Sequence, residues 1–251
     1  MAQVTRTAKR RSSLGDSVGD GIRGLSSQWS FGGKVAKTFD QHVRRSVPLY
    51  EEGHALIGCL SDYFVQPNSL VYDLGTSTGH LLAKLADRHG SKPGVTLVGI
   101  DREDGMVAEA SKRFIHCPNV SVKTGDICLF DYEPSDFIVS CYTIQFVPPR
   151  VRQELINKVY QALNWGGAFV LFEKIRAPDA RFQDICTGIY TDFKLDNGFS
   201  EAEIVNKTRS LKGVLEPFST EGNLDLMRRA GFVDIMTVMK YVPFEGFLAI
   251  K

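Results

Sequence analysis

Ser69 to Gly79, which reads Ser-Leu-Val-Tyr-Asp-Leu-Gly-Thr-Ser-Thr-Gly, constrains this chain more than any other stretch. A short apolar run, Leu70 to Tyr72, leads to Asp73. Gly75 and Gly79 then bracket a turn into a helical pattern that begins near His80. Strand, turn and helix in that order suggest a nucleotide-binding corner, because glycine lets backbone approach a ligand closely and the N–H groups of a helix start face anions. The same pattern also fits an ordinary tight strand-to-helix connection. No Gly-Lys-Ser/Thr follows, so a Walker loop is absent, and Asp73-x-Gly75-x-Ser77-x-Gly79 departs from the G-x-G-x-x-G of dinucleotide sites.

The rest of the chain supplies the context such a corner needs. Val35 to Phe64 has helical spacing interrupted at Val47-Pro48, and Pro48 suits the first turn of a second helix, where its missing N–H costs nothing. Two helices before the first strand can close over a ligand at the glycine turn. Beyond the turn, apolar strand runs at Val95–Ile100, Val120–Val122, Phe137–Ser140 and Ala168–Phe172 alternate with helical stretches. Asn164-Trp-Gly-Gly167 reads as a turn before the last of these strands. This alternation predicts a parallel sheet with helices on both faces and ligands beyond the carboxyl ends of its strands. Residues 177 to about 215 break the rhythm with helices of cap size, and Gly231 ends a further helix. Val233–Val238 and Phe244–Ile250 read as a closing antiparallel pair, giving seven strands in all.

Composition narrows the function classes. With 30 basic and 29 acidic residues the net charge is +1, which argues against a general nucleic-acid or membrane-surface binder. Residues 1–26 are locally basic, with Arg6, Lys9, Arg10, Arg11 and Arg23, and read as a solvated tail, a docking arm for RNA being the sharper alternative. Order is expected from Trp29-Ser-Phe31 onward, so residues 27–251 form one domain with lid helices over 33–66. The five cysteines, Cys59, Cys117, Cys128, Cys141 and Cys186, contain no CxxC and imply neither a disulfide framework nor a metal site. No apolar run is long enough for a membrane span and no signal-peptide pattern opens the chain, so a reducing cytosol is the expected compartment.

Asp101 closes the second strand about 20 residues beyond the turn, where a carboxylate can accept both hydroxyls of a ribose; a helix N-cap is the plainer role. Combined with Asp73-x-Gly75, Gly125-Asp126-Ile127 after strand three and the Asn164-Trp-Gly-Gly turn, it resembles the class I S-adenosylmethionine-dependent methyltransferases. The resemblance implies their Rossmann-like α/β fold. Further strings narrow it: Arg45-Ser-Val-Pro-Leu-Tyr50, Phe64-Val-Gln-Pro67, Thr143-Ile-Gln-Phe146, Glu173-Lys174 and Asp192-Phe-Lys-Leu-Asp-Asn-Gly-Phe-Ser-Glu201 are similar to the bacterial carboxy-S-adenosylmethionine synthases of tRNA wobble-uridine modification. From Trp29 onward the chain is covered.

The resemblance implies S-adenosyl-L-methionine as cofactor. It places Tyr50 near the methionyl part, Gly75, Thr76 and Ser77 around the amino-acid end, Asp101 at the ribose and Asp126 with Ile127 at the adenine, with Asp73, Gly79, Arg102 and Cys141 also counted to the cofactor site. It also implies a homodimer whose arginine reaches across subunits. Departures fall on the acceptor side. Cys141 stands where the synthases have asparagine, Tyr190-Thr191 where they have a histidine pair, and Thr208 at the arginine that contacts the extra carboxylate, with Arg209 one step on. One residue turns a helical side chain by about 100 degrees, so Arg209 is not an obvious equivalent. Tyr142 and Tyr190 can set rings against the sulfonium, with core packing as the plainer role, and Cys141 and Arg209 complete the candidate reactive set.

An intact cofactor motif beside an altered carboxylate site predicts a transferase methylating a small molecule. Carboxy-S-adenosylmethionine synthesis from prephenate, cyclisation of the cofactor's aminobutyrate arm with release of methylthioadenosine, and a non-catalytic RNA-associated module are the alternatives.

Overall fold

The computed structural model describes residues 35–251; the basic segment expected over 1–26 and the ordering expected at Trp29–Phe31 lie outside them. Helices α1 (Val35–Ser46) and α2 (Tyr50–Ser61) come first. They are followed by β1 (Leu70–Leu74), α3 (His80–His89), β2 (Thr96–Asp101), α4 (Asp104–Arg113), β3 (Val120–Thr124) and β4 (Ser135–Cys141). A 3-10 turn at Ile144–Phe146 leads to α5 (Pro149–Ala162) and β5 (Leu163–Lys174). Then come α6 (Ala180–Asp196), α7 (Glu201–Ser210), α8 (Thr220–Ala230), β6 (Asp234–Tyr241) and β7 (Phe244–Ile250).

The sheet runs β3-β2-β1-β4-β5-β7-β6, parallel from β3 to β5, with β7 antiparallel to both β5 and β6. This is the mostly parallel seven-stranded α/β arrangement with the antiparallel C-terminal hairpin expected from the sequence. Period-two alternation divides the core between two faces. Tyr72, Leu74, Ile138, Phe169 and Leu171 pack on the side of α5 and α8, while Val71, Phe137, Val139, Val170 and Phe172 pack on the side of α2 and α3. Strand order reverses between β1 and β4, which opens a crevice at their carboxyl ends.

Two local expectations change. Pro48 precedes α2, which starts only at Tyr50 after Leu49 turns through the left-handed region at φ 54°. Residues 164–167, expected as a turn, are drawn into β5, because Gly166 N–H donates to Lys251 O and Lys251 N–H donates back to Gly167 O. The turn chemistry survives only as Gly166 at φ 80°.

The roof comes from two distant parts of the chain. Asp40 on α1 accepts from the Thr78 hydroxyl and, at 2.5 Å, from Arg113 on α4, which fastens α1 over the glycine turn. Arg45 donates from Nε (2.8 Å) and Nη2 (2.5 Å) to Asn197 O beyond α6, and Tyr190 on α6 donates its hydroxyl to Ser46 O at 2.8 Å. No described helix is long and apolar enough to cross a membrane.

Candidate active site

Beneath this roof lies a cavity of about 930 Å³, lined from the ends of β1, β2, β4 and β5 and from α1, α6 and α7. Pockets for drug-sized ligands span about 300–1,000 Å³, so this one is at the roomy end.

At the end of β1 the chain turns through positive φ at Gly75 (76°), Ser77 (53°) and Gly79 (77°). Gly75 is required sterically, since a Cβ there would sit 2.8 Å from Thr143 Cβ and closer still to Oγ1 and Cγ2. The turn differs from the expected array of free N–H groups. Gly75 N–H and Thr76 N–H both donate to Ile100 O (2.8 and 2.9 Å), Ser77 N–H donates to Asp101 Oδ2 (2.9 Å), and Gly79 N–H donates to Thr76 O (2.9 Å). Bound inward in this way, those four groups brace the corner. Gly75, Thr76 and Ser77 line the cavity, whereas Gly79 does not; its bare Cα lets Phe114 and Ala110 of α4 pack close.

Asp73 is buried at the cavity edge and accepts from the Thr76 hydroxyl at 2.8 Å. Burial pushes its pKa up to about 7 despite that bond, so a cationic ligand group beside it would restore its charge. Asp101 is a turn brace as well as a cavity residue: Oδ2 accepts Ser77 N–H and Oδ1 accepts Glu103 N–H at 3.0 Å. It does not cap α4, whose N-cap residue is Glu103. Each oxygen retains a lone pair for a ligand hydroxyl. Arg102 lines the cavity rim but is largely exposed, 3.4 Å from Glu103. Asp126 caps its own turn by accepting Cys128 N–H at 2.8 Å, while Ile127 is buried and gives the cavity an apolar wall.

Above the ends of β1 and β4 stands an aromatic group. The Tyr50 ring lies 4.2 Å from His54, 6.4 Å from His80 and 6.4 Å from Tyr142, centroid to centroid. Tyr142 adopts φ 59°, its N–H donating to Phe172 O at 2.7 Å, and its buried hydroxyl has no hydrogen-bond partner. Such an orphan inside a cavity favours a ligand acceptor or donor. Burial, and secondarily Asp73 and Glu173, pushes the Cys141 thiol up, so it stays neutral rather than serving as a nucleophile. His80, which begins α3, is held by Glu51 at 3.1 Å; burial pulls its pKa down and Glu51 opposes this.

The sequence reading missed two features. Lys174 at the end of β5 and Lys194 on α6 direct their ammonium groups at the Tyr190 ring, 4.4 and 4.3 Å from its centroid. Position at a strand's carboxyl end was the available signal for Lys174, and four-residue spacing from Tyr190 for Lys194. The second is a buried network. Arg152 donates to Val147 O (2.8 Å) and Gln145 O (3.1 Å), and Gln145 Oε1 accepts Lys174 N–H at 2.8 Å. Glu173 beside it is pushed up to about 8 by burial, with Arg152 pulling the other way. Arg209, expected at the reactive end, is exposed on α7 and does not line this cavity; Thr208 does, with its hydroxyl turned to Ile204 O at 2.7 Å.

Residues 71–167 match the family described as methyltransferase domain. The chain is 36% identical to a carboxy-S-adenosyl-L-methionine synthase of Staphylococcus epidermidis over 89% of its length and 97% of the relative's. It is 33% identical to one of Sulfurimonas denitrificans over 91% and 97%. Among solved structures it resembles a phosphoethanolamine N-methyltransferase of Haemonchus contortus in complex with S-adenosyl-L-methionine (TM-score 0.61, 14% identity, 87% of this chain and 58% of that one). It also resembles human N-acetylserotonin methyltransferase (TM-score 0.57, 16% identity, 86% and 56%). At such identities these two share the fold.

Proposed function

The chain belongs to the family of carboxy-S-adenosyl-L-methionine synthases and is an S-adenosylmethionine-dependent transferase, and from that premise we propose that it carries out the synthases' reaction, with S-adenosylmethionine gaining a carboxyl group from a carboxylate-bearing small molecule. One observation carries this reading. The likeness to the synthases spans 97% of their length and so includes the lid and cap that bound the substrate half of the cavity, beyond the 71–167 segment common to methyltransferase domains.

In this reading Asp73, Gly75, Thr76 and Ser77 surround the cofactor's amino-acid end, where the raised pKa of Asp73 suits a cationic neighbour. Tyr50 packs on the methionyl chain. The spare lone pairs of Asp101 take the ribose, Ile127 walls the adenine with Asp126 at its edge, and Tyr142 and Tyr190 face the sulfonium. Residues 27–251 act as one cofactor-binding unit in the cytosol, with 1–26 as its basic tail. A homodimer is supported by α6, which buries no residue and leaves Phe182, Ile185 and Ile189 exposed. Arg209, also exposed, is then available to a second copy. The near balance of charge favours a small-molecule substrate over nucleic acid.

A second reading, methyl transfer to a small molecule, is favoured by Thr208: α7 presents a hydroxyl bonded to its own helix where the resemblance places a carboxylate-binding guanidinium. Mass spectrometry of the nucleotide recovered after incubation with S-adenosylmethionine and prephenate separates them. Carboxylated cofactor supports the first reading. S-adenosylhomocysteine as the sole product sinks it in favour of the second, and methylthioadenosine would reveal cofactor cyclisation.

A further inference from the structure

The cofactor half of the cavity accounts for its carboxylates, and the opposite half brings two ammonium groups to a single ring. Lys174 Nζ and Lys194 Nζ both lie within 4.4 Å of the Tyr190 ring centre, and neither makes an ion pair or a side-chain hydrogen bond among the described residues. Both line the cavity, as does Arg176. Several other lysines are matched, Lys84 by Glu51 at 2.5 Å, Lys112 by Glu109 at 2.7 Å and Lys158 by Cys128 O at 2.8 Å, while Lys123, over the Phe130 ring, is exposed. An aromatic face offsets only part of what an ammonium loses on leaving water, and two ammoniums on one ring also repel each other. The mutual repulsion contributes, after burial, to holding Lys174 down at about 8. Tyr190 cannot move away, because its hydroxyl is anchored to Ser46 O and its ring abuts Phe244 at 5.2 Å.

We propose that Lys174 and Lys194, which share the Tyr190 ring, form the site for the carboxylate of the second substrate, a task that the Thr208 hydroxyl on α7 does not perform. A carboxylate accepts an ammonium N–H on either oxygen, while the neighbouring rings of Tyr142, Tyr190 and Phe244 suit an apolar or cyclic body attached to it. This assignment rests on the reading of the cavity as a two-substrate transferase site.

Full-length protein saturated with S-adenosylhomocysteine is titrated calorimetrically with phenylpyruvate, a carboxylate on an aromatic body, and with its uncharged methyl ester. The acid binds about tenfold tighter than the ester, Lys194→Met loses about that factor for the acid, and Lys194→Arg retains most of it. Equal affinity for acid and ester, wild-type acid binding by Lys194→Met, or no binding of the acid to wild type overturns the proposal. An unchanged affinity for S-adenosylhomocysteine in Lys194→Met shows that the cavity is intact, and Lys174→Met provides an independent second test from β5. If the acid–ester difference is present but incubation with S-adenosylmethionine and prephenate yields no carboxylated cofactor, the anion site stands and the reaction assigned to it falls.

Discussion

Replacing Asp101 by asparagine separates the two tasks of one carboxylate. Oδ2 receives Ser77 N–H at 2.9 Å and Oδ1 receives Glu103 N–H at 3.0 Å, so the side chain ties the glycine turn to the loop after β2. Asparagine offers one acceptor oxygen and an NH₂, so one of those N–H groups must face another donor. An unsatisfied donor of this kind costs about 1–3 kcal/mol. For a chain of this size that lowers the melting temperature by about 2–4 °C per kcal/mol. If the spare lone pairs also receive the ribose hydroxyls, a bond to a charged acceptor worth about 1.5–3 kcal/mol is weakened too, which raises the Kd for S-adenosylmethionine by about 10- to 100-fold. Thermal unfolding without ligand and calorimetric titration with S-adenosylmethionine read the two effects separately. A lowered melting temperature with a Kd within about threefold of wild type would reduce Asp101 to a brace and refute its ribose role. An unchanged melting temperature would refute the bracing geometry itself.

Gly75→Ala combines a left-handed backbone penalty of about 1–2 kcal/mol with collision against Thr143, and is expected to lower both stability and cofactor affinity. Adding Thr143→Ala recovers part of the loss, and failure to recover would show that backbone strain acts alone. Stability of the unliganded protein falls as pH rises from 6.5 to 8. Glu173, raised from 4.5 to about 8, keeps its proton in the folded state and releases it on unfolding, so its contribution is complete below 4.5 and is lost progressively as pH rises from there through about 8. Glu173 alone contributes a slope approaching about 1.4 kcal/mol per pH unit, so Glu173→Gln flattens the profile and leaves the part that Asp73, raised to about 7, contributes below that pH; a slope unchanged in Glu173→Gln would contradict it. His54 acts in the opposite sense below 6.5, because burial lowers it to about 3 and acid then favours the unfolded state. Arg45→Ala removes two bonds to Asn197 O, and hydrogen exchange is expected to quicken in α1 and around residue 197 while the central strands stay protected. Uniform quickening would mean that the roof is no separate unit.

Most of the fold was legible because its signals are local and repeated. Strands such as Val95–Ile100 are apolar on both faces, helices between them have the length of crossovers, and Gly231, at φ 120°, ends α8 where a glycine was expected to end a helix. Residues 164–167 misled because their glycines have turn chemistry, while the partner that draws them into β5 is Lys251, far along the chain. The cofactor half was legible as a set of carboxylates at strand ends, but the use to which the turn's N–H groups are put was not. Ile100 O, which accepts two of them, belongs to a different strand. The Lys174–Tyr190–Lys194 arrangement was the hardest to read. It depends on α6 folding back over the end of β5, and no periodicity encodes that approach. Arg209 shows the converse: its residue type suited the chemistry, but the helical phase of α7 leaves it exposed.

The position of β7 has a consequence for how the chain is made. Strand β6 precedes β7 in sequence yet meets the sheet only through it, β7 lying between β5 and β6. During synthesis, the edge of β5, with Phe169, Val170, Leu171 and Phe172 all fully buried in the finished fold, therefore remains unpaired until residues 244–250 have emerged. An open apolar edge of this kind is a template for pairing with other chains. Slowed translation over α6 to β6 thus lengthens the interval in which a nascent neighbour can occupy the place meant for β7.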